Sequence, residues 1–345
     1  MSIKAAFPTN EHNSIKLEYL LKSLTHFNIP YDIINLDKNF SYINKIFSFY
    51  EYLKKQNDND IIIFSDAYDV FYVNSLQTIK KRFEMHNVGI LWSCEKGYYH
   101  GLEKQKKIYD MLGENYHYKY LNSGTFMGYV YALRKYIGEI ILEIKNKNSK
   151  LNIDLKNNGC KCTPLTYLSG VYGEHFCDQQ IYGYWYAENY DKYSVRLDYN
   201  CSVFYLPVND WDDIHNFIDF DKQKLYVRQT KTKPCIVHCP WLSKYRNVYD
   251  YIYSSVFIPV FNKKYVWQHD CDYVNGYILF NLNNLETTWG NGTYNQISDR
   301  IYILIWQDTK HILTFNEDFT KFKSVRQNDL HVSSGELLPK GFDIY

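Results

Sequence analysis

The segment IIIFSDAYDVFYV, residues 61–73, places two carboxylates directly after an apolar run. Asp66 and Asp69 are three residues apart, so a turn at this point can direct both side chains towards one ligand. Magnesium and manganese ions prefer oxygen ligands and commonly take one or two carboxylates together with substrate phosphates. Tyr68 lies between the two and can offer a ring face to a base. The alternative is an Asx-turn with solvent-facing carboxylates, a frequent use of Asp at strand ends.

Two further segments carry side chains that suit hydroxyl groups. YLNSGTFMG, residues 120–128, is small and bounded by glycine, so its backbone can approach a ligand while Asn122 and Ser123 hydrogen-bond to it. In EHFCDQQIYGYWY, a carboxylate and an amide, Asp178 and Gln179, precede an aromatic run. The alternatives are an ordinary loop between a strand and a helix for the first segment, and core packing for the aromatic run.

A histidine at the end of a later strand completes a candidate metal site. CIVHCPWL, residues 235–242, runs from apolar residues to His238. Imidazole suits Mn²⁺ as a third ligand, although a single histidine at a strand end also serves as a hydrogen-bonded structural residue. The 8 cysteines do not form paired CxxC clusters, which argues against structural zinc.

The elements that must position these residues follow from apolar spacing. SIKLEYLLKSLTHF and INKIFSFYEYLKK have the periodicity of helices, whereas YDIINL, DIIIFSD and VGILWSC are typical of strands. The alternation predicts an open α/β structure with a largely parallel sheet, because continuous apolar strands are covered on both faces. Ligands bind beyond the carboxyl ends of such strands, and Asp66 and Asp69 lie at one of these ends.

The residue pattern changes near residues 255–265. YVNGYILFNL, TYNQISDRIYILIW and HILTFNEDFTKF are short β-rich pieces separated by turn residues, which predicts a small antiparallel β module. We therefore expect an α/β domain over residues 1–255 and a β-rich module over residues 256–345. The aromatic residues of the module either form its own core or grip sugars or a partner, and a homodimer interface also fits.

Composition excludes several classes of partner. The 345 residues carry a formal net charge of +1, which gives no electrostatic reason to expect nucleic acid or an anionic membrane surface. No apolar run approaches the roughly 20 residues that a membrane span needs. The N-terminus lacks the apolar stretch of a secretory signal, so we expect a cytoplasmic protein.

Taken in order, these motifs resemble a known family. Asp-x-Tyr-Asp, then Leu-Asn-Ser-Gly, then Asp-Gln, then a strand ending in His resembles the glycosyltransferase domain of the procollagen lysyl hydroxylase (PLOD) family over roughly residues 1–255. The resemblance implies a GT-A-type fold, Rossmann-like in its nucleotide-sugar-binding sheet, that uses Mn²⁺ and a UDP-sugar. The donor would be UDP-glucose or UDP-galactose. The acceptor would be hydroxylysine or galactosyl-hydroxylysine of a collagen-like protein, or another glycan.

The resemblance also assigns residues to the metal and the donor. Asp66, Asp69 and His238 match the family's metal ligands, Tyr68 matches the tyrosine that stacks on the uridine, and Lys45 matches a lysine near the diphosphate. The remaining assignments concern the sugar and the acceptor.

Asp178 and Gln179 match the last aspartate of an acidic run and the glutamine after it. We expect these two residues and Asn122 on the catalytic side of the site, and Ser123 on the donor side. Asp178 would position the acceptor or support the positive charge that develops on the sugar.

Three departures from the family pattern keep other functions open. Cys177 stands where the family has a further aspartate, Cys239 and Pro240 replace a glycine and an asparagine, and NLDKNFSYINK replaces a glycine-rich loop. The iron-binding pattern of the family's hydroxylase domain does not occur. The alternatives are a transferase of the same fold with another glycan or protein acceptor, and a sugar- or protein-binding scaffold without catalysis.

Overall fold

The computed structural model describes residues 1–12, 14–36, 41–99, 103–146, 148, 150–151, 177–221, 223–240, 242–268, 274–282 and 284–338. The chain divides into two units, Met1–Tyr249 and Asp250–Tyr345. The strands of the first unit are β1 (Ile3–Thr9), β2 (Tyr31–Asn35), β3 (Ile61–Ser65), β4 (Val70–Tyr72), β5 (Ile90–Glu95), β6 (Tyr120–Tyr129), β7 (Val195–Leu197), β8 (Phe204–Tyr205), β9 (Ile218–Asp221), β10 (Lys224–Val227) and β11 (Ile236–His238).

Helices separate most of these strands. They are α1 (Glu18–His26), α2 (Tyr42–Leu53), α3 (Leu76–His86), α4 (Glu103–Leu112), α5 (Val130–Lys145), α6 (Asp178–Asn189), α7 (Ile214–Phe217) and α8 (Leu242–Phe257), with short 3₁₀ turns at Ile15–Leu17 and Trp211–Asp213. Ser41 caps α2, since its side chain accepts a hydrogen bond from the backbone N–H of Asn44 at 3.0 Å. In the part of the chain that the structure describes, no helix combines the length and apolar character needed to cross a membrane.

The main sheet confirms the predicted α/β class. Its strand order is β2-β1-β3-β6-β5-β7, with parallel pairing everywhere except at β6, which runs antiparallel to β3 and β5. Every residue of β3 is buried, as its continuous apolar sequence predicts for a strand covered on both faces. Strands β1, β2, β3 and β5 therefore end at one edge of the sheet, and the acidic turn follows β3 at that edge.

The loop interpretation of YLNSGTFMG is wrong. These residues belong to the ten-residue strand β6, which lies between β3 and β5 in the sheet and has nine buried residues. A central strand of an otherwise parallel sheet is covered on both faces, so its sequence need not alternate between apolar and polar residues. The glycines within it are used for close packing rather than for a turn.

A second sheet of three strands, β4-β11-β8, brings distant segments together. β11 pairs antiparallel with β4, and this register sets His238 opposite Val70. The backbone N–H of Cys239 then donates to the carbonyl oxygen of Asp69 at 2.8 Å. This pairing carries the end of β11 to the turn that holds the two aspartates.

An aromatic core between the sheet and two helices fixes their orientation. Phe49 of α2 lies 4.7 Å from Phe64 of β3 between ring centroids, and Tyr182 of α6 lies 4.7 Å from Trp92 of β5. Residues four positions apart share one face of a helix. Phe49 therefore anchors the turn of α2 that carries Lys45, and Tyr182 anchors the turn of α6 that begins with Asp178.

The strands of the second unit form an antiparallel barrel, which confirms the predicted β module. Strands β12 to β19 follow one another around the barrel, and β12 closes it by pairing with β19. They are β12 (Lys264–Gln268), β13 (Val274–Phe280), β14 (Leu285–Thr287), β15 (Gly290–Ser298), β16 (Ile301–Trp306), β17 (Thr309–Phe315), β18 (Lys321–Arg326) and β19 (Val332–Leu337). Aromatic residues including Tyr265, Trp267 and Phe315 fill its core.

Candidate metal and donor site

The two aspartates of the turn after β3 are fixed through their backbones. The N–H of Asp66 donates to the carbonyl oxygen of Gly124 at 2.7 Å, and the carbonyl oxygen of Asp69 accepts from Cys239. The first bond ties the turn to β6 and the second ties it to the residue after β11. Both carboxylates are partly exposed, at 29% for Asp66 and 20% for Asp69, so they can still reach a ligand from solvent.

The structure places His238 beside both carboxylates. Its Nε2 lies 3.5 Å from an oxygen of Asp69 and 3.9 Å from an oxygen of Asp66. One ligand atom from each of the three side chains lies within 4.8 Å of the others, which is an arrangement that can hold a metal ion. The three residues predicted as metal ligands are therefore brought together from segments about 170 residues apart in the sequence.

The buried polar atoms of this cluster indicate whether a cation can bind there. Both ring nitrogens of His238 and one carboxylate oxygen of Asp69 are buried and have no hydrogen-bond partner among the described residues. Buried polar atoms normally have partners, so these atoms need something the protein does not itself supply. Two carboxylates and one imidazole are a donor set that Mn²⁺ accepts. The residues present fit a divalent cation.

The charges of the cluster perturb one another. Burial raises the pKa of Asp66 to about 6, with the ammonium of Lys45 opposing this and the carboxylate of Asp69 adding to it. Burial would lower the pKa of His238, but the neighbouring carboxylates, Asp69 above all, outweigh burial and raise it. A cation between these groups would instead stabilise charged carboxylates and a neutral imidazole.

Gly124 makes room for the metal-site histidine. A Cβ atom at this position would lie 2.1 Å from Cε1 of His238 and 2.6 Å from each of its ring nitrogens. His238 is 2% exposed, so the ring has little space into which it can move. Glycine is therefore required here for close approach of a ring to the backbone.

We expect Gly124→Ala to weaken Mn²⁺ binding about 10–100-fold, the range seen when residues that orient metal ligands are changed. The added methyl group would displace the imidazole from the two carboxylates. Calorimetric titration with Mn²⁺ measures the effect. Gly138→Ala is the matched control, since the new Cβ would meet only the phenol end of Tyr50, at 3.1 Å. Equal affinity in both variants would contradict the role assigned to Gly124.

Lys45 connects the metal cluster to helix α6. Its ammonium donates to a carboxylate oxygen of Asp66 at 2.5 Å and to one of Asp178 at 2.7 Å. The lysine is 6% exposed and Asp178 is 3% exposed, so these two charges compensate each other away from water, whereas Asp66 is partly exposed. Burial opposes the charge of Lys45, but the two carboxylates outweigh it and raise its pKa. Lys45 is therefore a fixed positive charge beside the candidate metal site.

A network of amides and one carboxylate forms the opposite wall. Gln179 donates to Glu95 at 2.5 Å, and Asn122 donates to the amide oxygen of Gln179 at 3.1 Å. The side chain of Asn122 also accepts from the N–H of Gly124 at 2.9 Å. Asn122 and the Asp178–Gln179 pair, predicted from two separate motifs, lie in one cavity.

Glu95 is a site residue that the motif analysis missed. It is 2% exposed and ends β5, and burial raises its pKa to about 7 against the hydrogen bonds from Gln179 and Asn122. The position of Glu95 in the sequence indicates a site residue, because VGILWSC is predicted to be a strand of the same sheet. The rule that pointed to Asp66, that ligands bind at carboxyl ends of strands, applies equally to the residue after Cys94.

These residues line two neighbouring pockets. The central pocket, of about 200 Å³, is lined by Tyr42, Asp66, Asp69, Glu95, Asn122, Ser123, Gly124, Cys177, Asp178, Gln179, Val208, His238 and Pro240. The strand-end pocket, of about 340 Å³, is lined by Pro8, Thr9, Asn10, Leu36, Tyr42, Lys45, Asp66, Ala67, Tyr68 and Asp69. The two share Tyr42, Asp66 and Asp69, so the two candidate carboxylate ligands lie at their junction, whereas His238 lines the central pocket only.

Tyr68 is held in the strand-end pocket by the end of β1. Its hydroxyl group lies 2.8 Å from the hydroxyl group of Thr9 and donates to the side-chain oxygen of Asn10 at 3.3 Å. The ring is therefore fixed at the carboxyl edge of the sheet. A planar group that enters this pocket can lie against it.

The comparison with protein families agrees with this geometry. The family model of the PLOD GT domain matches residues 9–150. This part of the chain is therefore similar to the PLOD glycosyltransferase domain. The match includes Lys45, Asp66, Tyr68, Asp69 and the Asn122–Ser123 pair, whereas Asp178, Gln179 and His238 lie beyond it and join the site through the tertiary structure.

The other comparisons give no match or only weak likenesses. No curated protein matches the chain. Among solved structures, A197 from STIV has 14% identity and a TM-score of 0.27, covering 45% of this chain and 75% of that one. A glycosyltransferase involved in the glycosylation of the major capsid of PBCV-1 has 10% identity and a TM-score of 0.43, covering 72% of this chain and all of that one (100%).

Proposed function

We propose that this protein transfers glucose or galactose from a UDP-sugar to hydroxylysine or galactosyl-hydroxylysine of a collagen-like protein, in a reaction that requires Mn²⁺. The observation that carries the proposal is the cluster of Asp66, Asp69 and His238, whose two carboxylates lie at the junction of two pockets. A nucleotide-sugar has a diphosphate between its base and its sugar, so a metal site between two cavities suits the donor.

The strand-end pocket would hold the uridine. Tyr68 offers its ring to the base, and Thr9 and Asn10 supply polar atoms at the end of β1. Ser123, which lines the central pocket, would contact the donor beyond the diphosphate. The chain therefore provides an aromatic ring and hydrogen-bonding groups for the nucleoside, and the fixed positive charge of Lys45 for the diphosphate. These groups follow the order of the parts along the donor.

Bond cleavage would leave negative charge on the diphosphate. Mn²⁺, when bound by Asp66, Asp69 and His238, would neutralise that charge as it forms. Lys45 would add to this from the protein side, since its ammonium is already oriented by two carboxylates and needs no reorganisation. Lys45 and His238 are both buried, so water would screen their interactions only weakly.

The central pocket would hold the sugar and the acceptor hydroxyl group. Asp178, charged and held by Lys45, would stabilise the positive charge that develops on the sugar ring or position the acceptor. Gln179, Asn122 and Glu95 present a wall of donors and acceptors that suits sugar hydroxyl groups. These residue roles support transfer rather than a scaffold that only binds.

The departures from the family pattern have local structural explanations. Cys177 caps helix α6, as its sulfur accepts from the N–H of Gln180 at 3.4 Å. The N–H of Cys239 is occupied by Asp69, and Pro240 has no N–H. The diphosphate would therefore be held by side chains and metal rather than by the backbone after His238.

The decisive test is a screen for UDP release. The protein would be incubated with UDP-glucose, UDP-galactose and other UDP-sugars, with and without Mn²⁺ and a hydroxylysine peptide. We expect peptide-stimulated release from one hexose donor that stops on addition of a chelator, and a matching mass increase on the peptide. Release without any change in the peptide would indicate another acceptor, and no release from any donor would contradict the proposal.

Tyr68→Ala should raise the KM for the donor about tenfold or more, because stacking of a base on an aromatic ring is worth about 1–3 kcal/mol. Turnover at saturating donor should change much less. Tyr68→Phe is the matched variant, since it keeps the ring and loses only the hydrogen bonds to Thr9 and Asn10. Equal KM values in the alanine variant and the wild type would show that the base does not lie on this ring.

A further inference from the structure

The edge of the main sheet at β2 is open among the described residues. β2 is the first strand of the sheet and pairs only with β1. The N–H of Ala5 donates to the carbonyl oxygen of Pro30, and the N–H of Leu36 donates to that of Thr9. Because paired residues alternate along a parallel ladder, the even-numbered residues of β2 face β1. The backbone groups of Tyr31, Ile33 and Asn35 therefore face away from the sheet.

Little on this strand protects it. Asp32 is its one charged residue, and its carboxylate is engaged by Lys4 of β1 and Tyr52 of α2. Natural edge strands are commonly blocked by proline, lysine or a bulge. β2 has the sequence YDIIN, and its register with β1 is continuous. Tyr31 is 41% exposed and Ile33 is 37% exposed. An exposed, regular and partly apolar edge is a template for a further strand.

A groove lies beside this edge. It has a volume of about 480 Å³ and is lined by Ile33, Ile34 and Asn35 of β2 and by residues of α2 that include Asn44, Phe47 and Tyr52. A groove between an edge strand and a helix is a recurring site for an added peptide strand, in which backbone hydrogen bonds supply affinity and the groove accepts side chains.

The groove lies next to the candidate donor site. Asn35 and Asn44 line the groove, and the next residue of each element, Leu36 and Lys45, lines the strand-end pocket. A peptide paired with β2 would therefore run along the sheet towards the edge that carries Asp66. A bound polypeptide at this place would be held next to the donor.

We propose that the β2 edge and its groove bind an extended segment of the acceptor polypeptide, and this inference rests on the proposed function for the identity of the acceptor. A second copy of this chain is disfavoured by size. β2 has five residues and is about 17 Å long, so pairing along it buries far less than the roughly 800 Å² per partner of a stable dimer. A short strand suffices for a substrate that must leave after each turnover.

Ile33→Pro tests the inference. It removes the outward N–H of Ile33 and leaves the β1 ladder intact, because proline is tolerated at an edge when its nitrogen faces solvent. Ile33→Ala is the matched control that keeps the N–H. We expect Ile33→Pro to lower kcat/KM at least tenfold for a long Gly-Xaa-Yaa peptide containing hydroxylysine. Transfer to free hydroxylysine, and UDP release without acceptor, should be unchanged.

A second measurement on the wild-type protein does not depend on the variant. Addition of the peptide should slow hydrogen exchange at the amides of Tyr31, Ile33 and Asn35. Unchanged exchange, or equal kcat/KM for the peptide in wild type and Ile33→Pro, would overturn the inference. A dimer that the proline variant loses, with peptide kinetics unchanged, would assign the edge to a second copy instead. If the wild type transfers sugar to no acceptor, the proposed function fails, and the exchange experiment still decides whether the edge binds a peptide.

Discussion

Asp69→Asn should lower sugar transfer about 10²–10³-fold, the loss typical of removing one preorganised group that stabilises transition-state charge. The amide keeps the shape of the side chain but removes one of the two carboxylate charges that would hold the cation. Activity with and without Mn²⁺ measures the effect. The metal-free protein should remain folded, because the substitution also removes a negative charge that lies beside Asp66.

Thermal unfolding gives an independent readout of the same change. A ligand that binds only the folded state stabilises it by about 2.7 kcal/mol at a concentration one hundred times its Kd. Mn²⁺ should therefore raise the Tm of the wild type and have little effect on Asp69→Asn. Asp191→Asn is the matched control, since Asp191 is an exposed residue outside both pockets. An Asp69→Asn protein with wild-type activity and a wild-type Mn²⁺ response would refute the metal site.

Lys45→Met should destabilise the fold by about 3–5 kcal/mol, the range for removing one partner of a buried ion pair. The methionine side chain fills similar space but leaves Asp178, 3% exposed, without the ammonium that compensates its charge. The free energy of unfolding, measured in urea, tests this. Transfer should also fall strongly, since the same ammonium faces the candidate diphosphate position.

A surface-lysine variant and a double variant show whether the effect of Lys45→Met comes from loss of the buried ion pair. Lys54→Met removes the lysine that caps the C-terminus of the same helix, is 48% exposed and is paired with Glu51, so it should cost less than about 1 kcal/mol. Adding Asp178→Asn to Lys45→Met should recover part of the lost stability, because the uncompensated charge is then gone. If Lys45→Met and Lys54→Met were equally stable, Lys45 would not be the buried counter-charge described here.

Local sequence determined the α/β sheet, the acidic turn and the appended β module. The apolar run before Asp66 predicts a strand covered on both faces, and the position of the two aspartates at its end predicts a ligand site, because these rules depend only on neighbouring residues. The helical spacing around Lys45 likewise predicts α2. The sequence of YLNSGTFMG does not distinguish a loop from a strand, because a buried central strand does not show the alternation that identifies an exposed one.

Only the tertiary structure decided which candidates share a site. The pairing of β11 with β4 sets His238 against the acidic turn, and the packing of α2 and α6 on one aromatic core joins Lys45 to Asp178, 133 residues further along the chain. The same packing closes Glu95 into the wall of the central pocket. Periodicity and turn chemistry act over a few residues, whereas these contacts arise from strand register and side-chain packing between distant segments, which no short motif encodes.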